Sequence, residues 1–319
     1  MKLSTLVGQR QGLKDVTTSD IKELVNNTLT KIITDINNVG IDTNEYTAKL
    51  TKVKQQLAEN FSIFEEELIH FTQDLNREIS EQGRQYYEKS QEVYDTAKEN
   101  DSSAYTADRF LFSRYINRDD IKETFLSRLE LYSSWKHPAL FIRPEQGDYV
   151  EPFLSNDPMY IADESDELLS LVKNKWTNAY QSRIRYRCIR EHRADFLSYF
   201  PKSQFGVIVA YNFFNFKPLD TVKRYLLGFL ELLKDGGIVV FTYNNCDLKN
   251  AVIQVENAYN SYIPKSTLVP LAEAIGFEVV ESFDLETNVS WIELKKPGEL
   301  TSIRGGQALA LIKDSRLDN

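Results

Sequence analysis

The chain has 319 residues, of which 42% are hydrophobic and 27% charged, so it can bury a sizeable core, and wholesale disorder is excluded. Its 38 lysines and arginines stand against 47 aspartates and glutamates, and this net charge of −9 argues against general affinity for nucleic acid. Two cysteines and three widely separated histidines are too few for a disulfide framework or a thiolate zinc site, so we predict no metal. The lack of a long apolar run or a signal-like start predicts a soluble, cytoplasmic protein.

The first 138 residues have helical periodicity. Helices are predicted over 20–37, 43–100 and 118–135. In the longest of them apolar residues recur every eleven positions, as at Val53, Phe64 and Leu75, which predicts a nearly straight or weakly right-handed bundle. A helix of that length cannot bury its apolar stripe against one small globule. We therefore predict that residues 1–138 form an arm that self-associates, binds another protein or folds back near Gly83.

From residue 139 onward, short apolar runs alternate with helical patterns. Strands are predicted over 139–142, 159–162, 184–189, 207–211, 237–243, 277–283 and 289–294, and helices over 165–176, 219–233 and 266–275. This alternation predicts a mostly parallel sheet covered on both faces. Residues 284–288 are too few for a crossover helix, so the last two strands are predicted to pair antiparallel.

Three segments of this second half have a recognisable order. The segment Phe205-Gly-Val-Ile-Val-Ala-Tyr-Asn-Phe-Phe-Asn, which contains the strand predicted over 207–211, precedes a helix. Leu232-Leu-Lys-Asp-Gly-Gly-Ile-Val-Val-Phe-Thr follows that helix. The segments 276–280 and 290–298 then form a closing pair of strands. In this order residues 139–297 resemble the class I S-adenosylmethionine (SAM)-dependent methyltransferase superfamily. The resemblance implies a doubly wound, mostly parallel sheet of seven strands with an antiparallel last strand, followed by a tail over 298–319.

The same resemblance implies SAM as cofactor and suggests where it would bind. Asp163 matches the acid that binds the ribose hydroxyls, and Gly147 matches the last glycine of the turn after the first strand. Asp195 matches an acid near the adenine ring, with a turn or helix cap as the alternative. Arg143 and Glu145 stand where the family has its two other glycines. Their side chains are therefore predicted to fill the cofactor pocket, with Arg143 paired to Asp163 across it.

No catalytic side chain can be assigned from spacing alone. Residues 211–214, Tyr-Asn-Phe-Phe, are similar to the Asn-Pro-Pro-aromatic turn of amino-group methyltransferases, although the prolines are missing. Methyl transfer depends mainly on aligning the nucleophile with the sulfonium, so it need not leave a catalytic residue visible in the sequence.

Arg183, Arg185 and Arg187 project from one face of the third predicted strand. In the sheet order that the resemblance implies, this strand is an edge, and charged edges prevent unwanted strand pairing. The alternative is a docking face for phosphate, nucleic acid or an acidic protein partner.

Two hypotheses for the function remain. In the first, the protein has a methyltransferase fold with a degenerate SAM site and serves as a non-catalytic structural or interaction module of a larger assembly, such as a bacteriophage virion. In the second, it is an active SAM-dependent methyltransferase that acts on an unidentified acceptor. The fold by itself does not decide between them.

Overall fold

The computed structural model describes residues 2–14, 18–38, 44–99, 119–144, 147, 149–191 and 193–300. By its internal contacts the chain divides into two compact units, Met1–Gln85 and Tyr86–Asn319. This division lies inside the longest helix, and the domain boundary near residue 138 stays a prediction. Among the described residues, no helix is both long enough and apolar enough to cross a membrane.

The first unit is helical. It contains α1 (Leu3–Lys14), α2 (Thr18–Asn38) and most of α3 (Asn44–Glu99). Helix α3 has 56 residues and continues through Gly83, so it is roughly 84 Å long at 1.5 Å per residue and does not fold back there. The sequence did not predict α1, in which Leu3, Leu6 and Val7 are buried.

The second unit is built on one seven-stranded sheet. Its strands are β1 (Ala139–Ile142), β2 (Met159–Asp163), β3 (Ile184–Cys188), β4 (Phe205–Ala210), β5 (Leu233–Asn244), β6 (Glu278–Asp284) and β7 (Val289–Lys295). Their order in the sheet is β3-β2-β1-β4-β5-β7-β6. The first five strands are parallel to one another, whereas β7 runs antiparallel to β5 and β6. This arrangement confirms the predicted methyltransferase-like fold.

Helices cover both faces of this sheet. They are α4 (Asp119–Glu130), α5 (Asp166–Lys175), α6 (Asn178–Gln181), α7 (Leu219–Leu232), α8 (Lys249–Glu256) and α9 (Lys265–Ile275). Successive residues of β1 show why two cores form: Leu140 and Ile142 pack into one, and Ala139 and Phe141 into the other. Side chains of a strand point alternately to opposite faces, so a strand buried on both sides is apolar throughout.

Strand β5 begins earlier than the sequence predicts. It starts at Leu233, directly after α7 ends at Leu232, rather than at residue 237, so Gly236 and Gly237 both lie within the strand. Gly236 has φ +75°, and a Cβ there would lie 2.3 Å from the backbone nitrogen of Leu300. Close packing against residues 299–300, together with the positive φ, therefore requires glycine at this position.

A buried ion pair joins α4 to the sheet. Glu293 of β7 is fully buried, and Arg128 donates to both of its carboxylate oxygens, at 2.8 and 2.6 Å. The hydroxyl of Tyr132 and the indole N–H of Trp291 also donate to Glu293. Segment 119–132 is thus bonded to the sheet, although the sequence assigned it to the arm.

Candidate functional site

In an open α/β sheet a ligand binds outside the carboxyl ends of the strands, where the strand order reverses direction. Here that point lies between β1 and β4, the neighbouring strands from which the chain winds outward in opposite directions. The residues that follow β1, β2, β3 and β4 therefore form the candidate site.

The turn after β1 is built unlike a cofactor-binding glycine turn. Arg143 has φ +49°, its side chain is buried, and its backbone N–H donates to the carbonyl of Ala162 at 2.6 Å. A left-handed conformation costs a non-glycine residue about 1–2 kcal/mol. The sequence predicted both the strain and the burial at Arg143, and the predicted pairing of Arg143 with Asp163 stays a prediction. Glu145, which was predicted to fill the pocket with Arg143, lies outside the described residues.

Gly147 has its own structural reason to be glycine. Its φ is +77°, and a Cβ there would lie 3.3 Å from the Trp176 ring and 3.3 Å from a methyl group of Val172. Both contacts belong to the segment that follows β2. Gly147 is therefore explained by backbone conformation and by packing against α5, without a ligand.

The connection from β1 to β2 has no α-helix among its described residues. It contains one short 3-10 turn, Glu151–Phe153. The aromatic rings of Tyr149 and Phe153 pack against Phe141 of β1 and fill the core at this place. In a Rossmann-type site the helix that starts here directs its N-terminus at the cofactor. The described residues provide no such helix.

The two acids that were predicted to bind the cofactor, Asp163 and Asp195, lie in different environments. Asp163, the last residue of β2, is buried, and its carboxylate accepts the backbone N–H of Ser165 at 2.9 Å. Asp195 lies in a surface turn with its side chain 60% exposed, 3.8 Å from Arg193 and within hydrogen-bonding distance of Ser198. The contacts of Asp195 are therefore those of a residue in a local turn. A cofactor role for Asp163 or Asp195 stays a prediction.

A buried lysine, which the sequence analysis missed, is the centre of the site. Lys217 follows β4 and is fully buried, with its Nζ 2.6 Å from Glu191 Oε2 and 2.8 Å from Glu164 Oε1. Glu164 directly follows β2, and Glu191 follows β3. Because the order of these strands is β3-β2-β1-β4, Lys217 reaches from the end of β4 past β1 to the ends of β2 and β3.

Two tyrosines complete this arrangement, which we call the Lys217 cluster (Tyr94, Glu164, Glu191, Lys217 and Tyr225). The hydroxyl of Tyr225, on α7, donates to Glu191 at 3.1 Å. Tyr94, near the end of α3, donates to the other carboxylate oxygen of Glu191 and accepts from Lys217. The ammonium of Lys217 also lies 4.8 Å from the ring centre of Phe213, a cation–π contact.

The two carboxylates of the cluster have opposite pKa shifts. Burial raises the pKa of Glu164 to about 7, against the attraction of Lys217 and with a further contribution from the neighbouring Glu191. Burial also acts to raise the pKa of Glu191, but the charge of Lys217 and hydrogen bonds from Glu164, Lys217 and Tyr94 outweigh it and lower this pKa. Glu191 is therefore the ionised partner of Lys217, and Glu164 is the carboxylate that binds a proton near neutral pH.

The segment after β4 has a second polar feature. Asn212 has φ +48°, its backbone N–H donates to the hydroxyl of Thr242 at 2.7 Å, and its side-chain oxygen accepts from Asn215. The side-chain nitrogen of Asn212 is buried and has no hydrogen-bond partner among the described residues. Asn212 therefore serves the turn that carries the chain from β4 toward Lys217.

The Lys217 cluster and the turn after β1 show whether the residues at this edge of the sheet suit bound SAM. Lys217 holds a buried positive charge at this edge of the sheet and already binds Glu164 and Glu191, whereas SAM carries a positive sulfonium that such a charge repels. The turn after β1 has a buried arginine side chain where close approach to a ligand needs a bare backbone. These residues do not fit SAM.

The three arginines of the β3 region are where the sequence predicted them. Strand β3 is an edge of the sheet, and Arg183, Arg185 and Arg187 are all exposed. Arg187 donates to the carbonyl of Tyr186 at 3.1 Å. Edge protection and a docking role are both compatible with this placement.

No protein-family model and no curated protein matches the chain. Among solved structures, the CurJ carbon methyltransferase is 14% identical over 51% of this chain and 49% of its own, with a TM-score of 0.39. A SAM-dependent methyltransferase from Clostridium acetobutylicum is 13% identical over 61% and 98%, with a TM-score of 0.46. Geranyl diphosphate C-methyltransferase from Streptomyces coelicolor is 9% identical over 56% and 77%, also with a TM-score of 0.46. The fold assignment rests on the strand order described above and not on these similarities.

Proposed function

We propose that this protein is a non-catalytic interaction module with a methyltransferase-like fold, in which the Lys217 cluster takes the place of bound cofactor. One observation carries the proposal: a fully buried ammonium group binds two carboxylates that follow neighbouring strands at the ligand-binding edge of the sheet. Side chains at this edge of the sheet therefore bind one another and join separate parts of the protein's own chain.

The electrostatics support this proposal. Withdrawing an ion from water costs several kcal/mol, and the cost is recovered only when every charge has well-placed partners. Lys217 has Glu164, Glu191 and Tyr94 as partners, and Glu191 in turn binds Tyr94 and Tyr225. A ligand that entered here would have to break these bonds and leave buried charges unpaired.

The interaction role is supported by the first unit. Helix α3 exposes large apolar side chains, among them Val53, Phe64 and Phe71, along a surface that the described residues leave open to solvent. Large apolar side chains that are exposed along one side of a helix favour a binding face over a free surface.

Isothermal titration of the full chain with SAM and with S-adenosylhomocysteine tests the proposal. We expect no binding up to millimolar ligand, and we expect Asp163→Ala to change the thermal stability without creating or removing any affinity. Asp195→Ala, at an exposed position, is the matched variant and should change neither. Micromolar binding that is lost in Asp163→Ala would overturn the proposal and favour an active methyltransferase.

A further inference from the structure

Helix α3 has a line of exposed apolar side chains on one side. Val53, Phe64 and Phe71 are 42%, 47% and 51% exposed. Val53 and Phe71 are 18 residues apart, which is five helical turns, and Phe64 lies only about 20° away from them around the helix axis. Single exposed apolar residues are ordinary, but three along one line of a helix predict that the line is covered.

The other flank of the same helix contacts α2. The ammonium of Lys54 donates to the hydroxyl of Thr30 at 3.2 Å, and Lys54 lies about 100° from Val53 around the axis. Leu57 and Phe61, at intermediate angles, are half-buried. Helix α2 therefore approaches one side of the apolar stripe, and the line of Val53, Phe64 and Phe71 remains exposed among the described residues.

The spacing along this line is that of a two-helix seam. Positions 50, 53, 57, 60, 64, 67 and 71 alternate steps of three and four residues, and all are apolar except Asn60 and Glu67. Polar residues within such a seam fix the register and orientation of the paired helices at some cost in stability. The partner of this seam is therefore another helix of defined direction.

The charges of α3 indicate what that helix is. Lys49 and Glu67 both lie about 40° from Val53, on the side of the helix away from Lys54 and α2. Two copies that pair in the same direction would place the two copies of Lys49 at one height along the axis and the two copies of Glu67 at another. Two copies that pair in opposite directions place Lys49 of each copy beside Glu67 of the other, which favours association.

We propose that two copies of this chain associate through α3 in an antiparallel pair with a two-fold axis near Ala58 and Glu59. In this register Val53 of one copy packs against Phe64 of the other, and Leu57 packs against Asn60. Each contact occurs twice, as a closed two-fold dimer requires. The pair gives the proposed interaction module a partner, but it does not depend on whether the sheet binds a cofactor.

Disulfide trapping of full-chain variants with one added cysteine tests the direction of pairing. In the antiparallel register the two copies of residue 60 are about 5 Å apart along the axis, whereas the two copies of residue 71 are about 38 Å apart. Under mild oxidation we expect Asn60→Cys to form a covalent dimer and Phe71→Cys to stay monomeric on a non-reducing gel. A parallel pair would trap both variants, so efficient trapping of Phe71→Cys would overturn the proposed direction.

The native chain is a suitable background for these variants. Cys246 is buried, and burial raises the pKa of its thiol. Burial also raises the pKa of Cys188 to about 11, together with a hydrogen bond to Asp166. Neither native thiol is thus a reactive thiolate at neutral pH, and the unmodified chain serves as the control for trapping.

Light scattering tests the association itself. We expect the native chain to have the mass of two copies at micromolar concentration, and Phe64→Glu to have the mass of one. Ile69→Glu is the matched control, because Ile69 is 55% exposed on the opposite side of α3, and it should remain a dimer. A native chain with the mass of one copy would overturn the dimer, as would a Phe64→Glu variant that keeps the native mass and melting temperature.

Discussion

Lys217 and Glu191 form an ion pair in which both side chains are withdrawn from water, with Nζ 2.6 Å from Oε2. The net contribution of such a pair to stability is small, because desolvation offsets most of the attraction. Loss of one partner is different, since it leaves the other charge buried and unpaired. The first prediction follows from this asymmetry.

We expect Lys217→Met to lower the free energy of unfolding by about 3–5 kcal/mol, because it leaves the buried carboxylate of Glu191 and the partly buried carboxylate of Glu164 without their cation. Urea denaturation measures the change. The matched control is Lys202→Met: Lys202 lies 2.8 Å from Glu231, but both side chains are exposed, so this change should cost less than about 1 kcal/mol. Equal effects of the two substitutions would contradict the arrangement described for the Lys217 cluster.

The second prediction uses the double variant Lys217→Met/Glu191→Gln. Neutralising Glu191 removes the unpaired charge that the lysine substitution leaves behind. The double variant should therefore lose less stability than the sum of the two single losses, by about 1–3 kcal/mol. Strict additivity would show that the two residues do not interact.

The third prediction concerns pH. The pKa of Glu164 is near 4.5 when unfolded and is raised to about 7 in the folded protein by burial. Between these values the folded state binds more protons than the unfolded state, so this residue makes the free energy of unfolding fall as pH rises from about 4.5 to about 7. Glu164→Gln should remove this decline, as urea denaturation at pH 5, 6 and 7 would show.

A comparison with the native chain at each pH is essential here. Burial also lowers the pKa of His137, and the nearby Lys234 and Lys136 lower it further, which makes stability rise with pH in part of the same range. The difference between native chain and variant cancels this contribution. Glu167→Gln, at an exposed position in the first turn of α5, is the matched control. If it changed the slope of the free energy of unfolding against pH as much as Glu164→Gln does, the prediction would be contradicted.

Much of the fold could be predicted from the sequence, because buried parallel strands are short apolar runs that stand out between polar helices. Helix α1 shows the limit of this reasoning. It contains Gly8 and Gly12, which weaken local helix propensity. What the pattern does not reveal is that Leu3, Leu6 and Val7 are buried, and burial of an apolar face contributes more to helix stability than propensity does.

The site could be predicted only in part, for a related reason. Arg143 could be identified as strained, since its position in the turn after β1 is read from the sequence alone. Lys217 could not, because its partners Glu164, Glu191 and Tyr94 lie 53, 26 and 123 residues away in the chain. A lysine within an aromatic stretch, Phe213-Phe-Asn-Phe-Lys-Pro, is the one local hint that its side chain is buried.

The fourth prediction concerns the edge strand β3. Arg185 and Arg187 are exposed charges on a strand whose outer side has unpaired backbone groups. Replacing both with valine should leave the free energy of unfolding within about 1 kcal/mol but cause aggregation that grows with concentration. Light scattering over time measures it. Arg183→Val, just before the strand, is the control, and a double variant that stays monodisperse would favour the docking role instead.

The last prediction distinguishes the effect of the turn after β1 on cofactor binding from the effect of the Lys217 cluster. Arg143→Gly restores the glycine of a cofactor turn and relieves φ +49°, but it also deletes a buried side chain. Ala258→Gly is the control: it relieves the backbone strain of φ +60° at an exposed position and should stabilise the protein by about 0.5–1 kcal/mol. Arg143→Gly should instead destabilise it, because the loss of packing exceeds the relief of strain. It should also bind no S-adenosylhomocysteine by titration, because Lys217 still blocks the site. Micromolar binding by this one variant would show that the arginine alone excludes the cofactor.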